Sequence, residues 1–190
     1  MVNFSNFQQL DPQARDVAMG LLADANSHQP SFTSFTYRWM AFNGWMSAVT
    51  LEHRDWAMIN SIADDPRLVA QHDQLMAEDA GYRQLVSAFA AMWPVLKVSD
   101  ARTKFGYDVF RHMDRTALLE TNVKRQPVDW EPGSMLGWEQ VLRTIYQVRC
   151  NLFHGEKSQQ NHRDLELVVL SDGIMRTFIE RSSCFDWYNE

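Results

Sequence analysis

Between residues 35 and 49, large apolar side chains recur at Phe35, Trp39, Phe42, Trp45 or Met46, and Val49, an i, i+4, i+7, i+10/11, i+14 series that describes one face of an α-helix. A strand would turn alternate residues to opposite faces and scatter this series, so a chain built on such a segment must pack a helix at its centre. Composition extends the point. Seven Trp, eleven Phe and ten Met against eight Gly favour big side chains wedged between helices over the tight turns of a sandwich or barrel. With 190 residues, 45% of them hydrophobic, the chain has the size and apolar content of one all-α domain spanning residues 1–190.

Local signals divide the rest. Asp11-Pro12 reads as an N-cap followed by proline at the first helical position, and Val17, Leu21 and Leu22 carry that helix to about Ala25. Pro30-Ser31 restarts the chain ahead of the aromatic helix. Trp56, Ile59 and Ile62 mark a shorter helix that ends near Asp64-Asp65-Pro66, where proline disfavours helix in the residue before it. Leu68 to Met76 and Tyr82 to Trp93 predict two more helices, the second closed by Pro94. From about Val95 to Gly133 periodicity weakens, and a long excursion with a short helix or two is expected, holding Lys97, Arg102, Lys104, Arg111, Arg115, Lys124 and Arg125. A helix from Ser134 to about Phe153, stopped by Gly155, and a last one from about Gln159 to Arg181 complete the chain.

No apolar run approaches the roughly 18 residues of a membrane span, and the start, Met1-Val2-Asn3-Phe4-Ser5, lacks the basic and apolar regions of a secretory signal. The expectation is a soluble cytoplasmic protein. Cys150 and Cys184 form no Cys-x-x-Cys pair and read as reduced thiols. A net charge of −6 argues against coating of nucleic acid along the whole surface, because phosphate binding draws on Lys and Arg. Any action on RNA must be confined to a small basic site.

Such a site is suggested by one misplaced cation. Trp138, Val141, Leu142, Ile145, Val148 and Leu152 form one stripe of the penultimate helix, and Arg149 projects about 20° from Trp138, near the middle of that stripe. A guanidinium there is either a structural ion pair, with its stem snorkelling over apolar surface, or a functional group facing a cleft. One turn later His154 ends the helix. An imidazole at a helix C-terminus is favoured in its protonated form, and an arginine beside it can grip a phosphate oxygen.

The run Arg149-Cys150-Asn151-Leu152-Phe153-His154 resembles the Arg, four to six residues, His signature of the HEPN superfamily. It is followed by Gly155 and Lys157 in a His-Gly-Glu-Lys phrase typical of bacterial members, and the helix around Ala41-Phe42-Asn43 is similar to the aromatic helix these proteins carry early in the bundle. The specific match covers about ten residues, the looser helical likeness most of the chain. The resemblance implies an up-and-down bundle of four or five main helices, with additional short helices in a middle insertion, paired as a homodimer. It also implies metal-independent cleavage of RNA without a cofactor, as in toxins and defence proteins accompanied by an antitoxin or a nucleotidyltransferase partner. Arg149 and His154 would be catalytic. The family commonly places a polar residue directly after the arginine; here Cys150 holds that position and Asn151 follows, so Asn151 is the candidate supporting residue, with Lys157 an RNA contact.

Two other classes remain open. A HEPN fold can serve only as an RNA-binding or dimerisation module. His72-Asp73, with His53 upstream and Asp100 or Asp108 downstream, follows the His, His-Asp, Asp order of metal-dependent HD phosphohydrolases, although a His-Asp pair on a charged helix is more often a solvated face. Arg163 and the basic residues of the excursion could track an RNA backbone, but scattered charges of this kind are usually solvated surface. Trp39, Trp45 and Trp93 could stack bases, but at helical spacing they belong to the core.

Overall fold

The computed structural model describes residues 1–110, 112–153 and 162–189. Helix accounts for 71% of the structure and strand for 2%, which establishes the all-α class. After a single turn, α1 (Ser5–Gln8), the Asp11 side chain accepts from the Gln13 amide and starts α2 (Pro12–Asn26) where the Asp-Pro signal predicts. Ser31 and Ser34 form a reciprocal capping box at the head of α3 (Phe32–Thr50). Each such cap stabilises a helix start by about 1 kcal/mol. Leu51, in the left-handed conformation, ends α3 and turns the chain into α4 (Asp55–Ala63).

Pro66 stops α4 and also begins α5 (Pro66–Glu78): Asp65 caps the amides of Arg67 and Leu68, and the proline takes the first helical position, where no amide is needed. α6 (Ala80–Ala90) ends three residues short of Trp93. The excursion is more ordered than its weak periodicity suggests. Among the described residues it holds three short helices, α7 (Val98–Phe105), α8 (Tyr107–Phe110) and α9 (Arg115–Leu119). Its base is closed by an antiparallel ribbon of β1 (Val95–Leu96) and β2 (Arg125–Gln126), in which Val95 faces Gln126 and Leu96 faces Arg125. Ala101, Leu118 and Val123 form a small core of its own. The ribbon is a correction to an expectation of helices and loops only; two residues per strand carry no alternation to read. α10 (Trp138–Phe153), α11 (His162–Ser182) and a 3-10 turn at Cys184–Asp186 follow.

α2, α3, α5, α10 and α11 each run thirteen residues or longer. α3 lies at the centre, packed on α1, α2, α4 and α11, while α10 packs on α4, α5 and α11. Phe35, Trp39, Phe42, Trp45, Met46 and Val49 are all buried, as their spacing predicts. Trp45 stacks on Phe42 and Phe185, with Phe4 beside it, so the aromatic face of α3 gathers both ends of the chain. Trp93 is also buried, against Phe89 and Trp130.

The core holds a charge pair that the sequence pattern conceals. Arg38 on α3 is 1% exposed and donates through Nε to Asp172 of α11, itself 0% exposed, at 2.7 Å. Ser34 donates to the other carboxylate oxygen, and Arg38 Nη1 donates to Asn26 at 2.6 Å. Two full charges removed from water are tolerable only when paired and hydrogen-bonded in this way.

Candidate active site

Arg149 lies in the last described turn of α10, and its guanidinium is held on several sides. Nη1 donates to Asp55 Oδ2 at 2.9 Å. The cation lies over the rings of Phe153 and Trp39, 4.7 and 5.6 Å from their centroids. Asp55 is the first residue of α4, where the helix dipole favours a carboxylate, and its other oxygen accepts from Asn43 of α3 at 3.3 Å. The structural half of the sequence alternative is therefore present, since Arg149 is paired. Its side chain remains 21% exposed and that of Asp55 29%, so solvent reaches both partners. Nε finds no acceptor.

The helical wheel is right in angle and incomplete in depth. Trp138 and Arg149 share a face but lie about 16 Å apart along α10. At the first level the face meets Phe178 of α11, on which Trp138 stacks, and the Ile62 carbonyl, to which its indole donates. At the second it meets Trp39 and Asp55. An apolar stripe can carry a cation where its neighbours change in this way.

Tyr146, one turn before Arg149, stacks on Trp39 at 6.0 Å. Burial, then the neighbouring Cys150 thiol, push its hydroxyl well above the usual tyrosine range, so it stays protonated beside Arg149. Asp55, Tyr146 and Trp39 complete the surroundings of Arg149; Trp39 reads in the sequence as core, and Asp55 and Tyr146 do not stand out there, Asp55 being remote in sequence from Arg149.

His154 and Lys157 lie outside the described residues, as does Arg111. Asn151 is described and is turned away from the Arg149 face. It is buried, donates to the Leu96 carbonyl at 2.8 Å, and accepts from Gln147 at 2.9 Å. Its amide ties the β1 end of the ribbon to α10.

The basic residues expected to be solvated are largely tied down. Arg115 donates to the Pro94 carbonyl at 2.9 Å and Arg163 to that of Met92 at 2.7 Å, both beyond the end of α6. Burial, the larger cause, and a neighbouring arginine lower the pKa of each, Arg125 acting on Arg115 and Arg115 on Arg163. Lys104 bridges Asp100 and the Asn122 carbonyl. Arg102 lies over the Tyr107 ring.

His72 is buried rather than on a solvated face. Its Nε2 donates to the Leu136 carbonyl at 2.8 Å and its Nδ1 accepts from the Tyr82 hydroxyl at 2.9 Å, the pattern of a neutral ring with both nitrogens engaged. Asp73 is exposed on the other side of α5, and among the described residues no three His, Cys, Asp or Glu side chains converge as metal ligands. Burial holds the His72 pKa below its ordinary value. The unfolded chain therefore takes up a proton that the folded one refuses, so His72 lowers stability as pH falls from the ordinary histidine value of about 6.5 towards its folded value. Melting temperature is expected to fall across that window in the wild type, and a His72→Gln variant should show a flatter profile. Identical pH profiles would mean that His72 is not held neutral.

Cys184 is buried, which pushes its thiol up to about 12 and makes it inert; Cys150 is half-buried. No helix among the described residues is long and apolar enough to cross a membrane. Comparison with family models, curated proteins and solved structures finds no match.

Proposed function

We propose that this chain is a HEPN-type helical protein that cuts single-stranded RNA without a metal ion, using Arg149 and His154. The observation that carries this reading is the state of Arg149: a cation near the end of α10 whose side chain is 21% exposed, with Nη1 on Asp55 and a buried Nε without an acceptor. An anion reaching the exposed part of this side chain meets a cation bordered by the rings of Phe153 and Trp39. In the reaction a base removes the 2′-hydroxyl proton, the 2′-oxygen bonds to phosphorus, and the bond from phosphorus to the 5′-oxygen breaks as that oxygen is protonated. His154 performs a proton transfer and Arg149 stabilises the phosphorane. The products carry a cyclic phosphate and a 5′-hydroxyl. The bundle pairs as a two-fold homodimer that brings two such sites to a shared cleft, and a toxin or defence role fits this chemistry.

A second reading, an RNA-binding module without catalysis, is favoured by the Asp55 pair, because a cation already neutralised has less charge to offer a phosphorane. Incubation of purified protein with single-stranded RNA in EDTA separates the two. The nuclease reading requires cleavage with cyclic-phosphate ends that His154→Ala removes. RNA retained but never shortened selects the binding module, and cleavage undiminished in His154→Ala sinks the assignment of that residue. A monomer by light scattering at micromolar concentration would remove the shared cleft.

A further inference from the structure

We infer that the cleft between α4, α10 and the β1–β2 ribbon is the channel by which a single RNA strand reaches Arg149, with a base stacked on Trp56 and the backbone held by Lys97 and Lys124. This rests on the RNA reading above and adds the place and mode of binding.

The cleft has a volume of about 320 Å³ and is lined by Trp56, Lys97, Lys124, Arg125, Arg143 and Tyr146, together with uncharged residues and no carboxylate. The protein has 24 acidic and 18 basic residues, so a lining with four cations and no acid runs against its composition. Low-dielectric walls around one sign of charge concentrate the field on an anionic ligand.

The four cations have different tasks. Arg125 donates to the carbonyls of Leu119, Thr121 and Val123, which leaves it a fixed charge bracing the ribbon. Arg143 donates to Asn60 and pairs with Glu139. Among the described residues the ammonium groups of Lys97 and Lys124 form no ion pair or hydrogen bond, and Asp100, near Lys124, is already paired with Lys104. Two free ammonium groups thus share the cleft with two anchored guanidinium groups, and the free pair can follow a passing phosphate backbone.

Trp56 supplies the part that charge cannot. It is 55% exposed although Ile59 and Ile62 already anchor α4 in the core, so packing does not explain a tryptophan there. A flat aromatic surface beside cations suits a nucleobase, and stacking tolerates any sequence. The cleft borders the candidate active site: Arg143, Tyr146 and Arg149 follow one another at three-residue intervals on α10, covering about 9 Å. Tyr146 lines the cleft and shares the Trp39 ring with Arg149.

The test is fluorescence anisotropy with a labelled oligouridylate over a salt series, in a His154→Ala background so that RNA survives. Lys97→Ala/Lys124→Ala is expected to weaken binding and to reduce the slope of log affinity against log salt by about 1.4, or about 0.7 for each phosphate no longer neutralised. Trp56→Ala should weaken binding about tenfold or more and leave the slope unchanged. These side chains lie outside the core, and unchanged circular dichroism and melting will show that each variant folds. RNA binding that neither variant alters overturns the cleft while the RNA reading stands. Absence of RNA binding by the parent protein overturns both. If oligoglutamate displaces the RNA at equal charge and Trp56→Ala has no effect, the cleft takes acidic protein and the inference fails.

Discussion

Arg149→Ala is expected to slow RNA cleavage about 100- to 1,000-fold, the usual loss when one group that stabilises a developing oxyanion is removed. Both kcat and kcat/KM should fall together, because the phosphorane carries charge that the bound substrate lacks. Arg149→Lys should fall between the two, since it restores the charge without the planar fork. Stability provides the control. The Asp55 pair is partly solvated, so its loss costs about 1 kcal/mol or less, and the remaining carboxylate can be hydrated where it stands. In a chain of this length that corresponds to a melting shift of about 2–4 °C. Equal cleavage rates for wild type and alanine variant would show that Arg149 is only a structural partner of Asp55. A fall in rate matched by general unfolding would say the same.

The largest stability effect is expected at the buried pair of Arg38 and Asp172. Asp172→Ala removes the carboxylate that neutralises Arg38 and leaves a guanidinium buried at 1% exposure, with Asn26 as its remaining acceptor. Breaking a buried pair in this way costs about 3–5 kcal/mol, most of it the penalty of the stranded charge. Melting should fall by about 6–20 °C. Arg38→Met/Asp172→Leu tests the cause, because replacing both partners by apolar side chains of similar size is often neutral or stabilising. Urea unfolding of the three proteins should place the double variant close to wild type and the single variant far below it. A single variant within about 1 kcal/mol of wild type would mean that water reaches the pair.

These experiments probe features that differ in how far they can be read from residue order. Asp11-Pro12, the Ser31–Ser34 box and the aromatic periodicity of α3 act within a few residues, and the structure places helix starts and buried faces where those signals predict. The Arg149 position was legible as an anomaly, because charge on an apolar stripe is visible on a wheel. Its resolution was not. Whether a stripe faces core, solvent or a carboxylate depends on what lies opposite at each height of the helix, and Asp55 comes from a helix far away in the chain. His72 shows the same limit from the other side: in a run of polar residues it reads as surface, yet Tyr82 and the Leu136 carbonyl satisfy both ring nitrogens and allow its burial.

Residue order alone determined that this chain is helical, where most helices begin and end, which face of α3 is buried, and that a guanidinium sits on the apolar stripe of α10. Those properties follow from backbone preferences and side-chain spacing over a turn or two. The tertiary structure decided which charges are paired, since Arg38 meets Asp172 across 134 residues and Arg149 meets Asp55 only when α4 packs on α10. It also brought Lys97 and Lys124 from the two sides of the ribbon to the same cleft as Trp56. The physical reason is that desolvation and Coulomb energy depend on distances through space, which the order of residues does not contain.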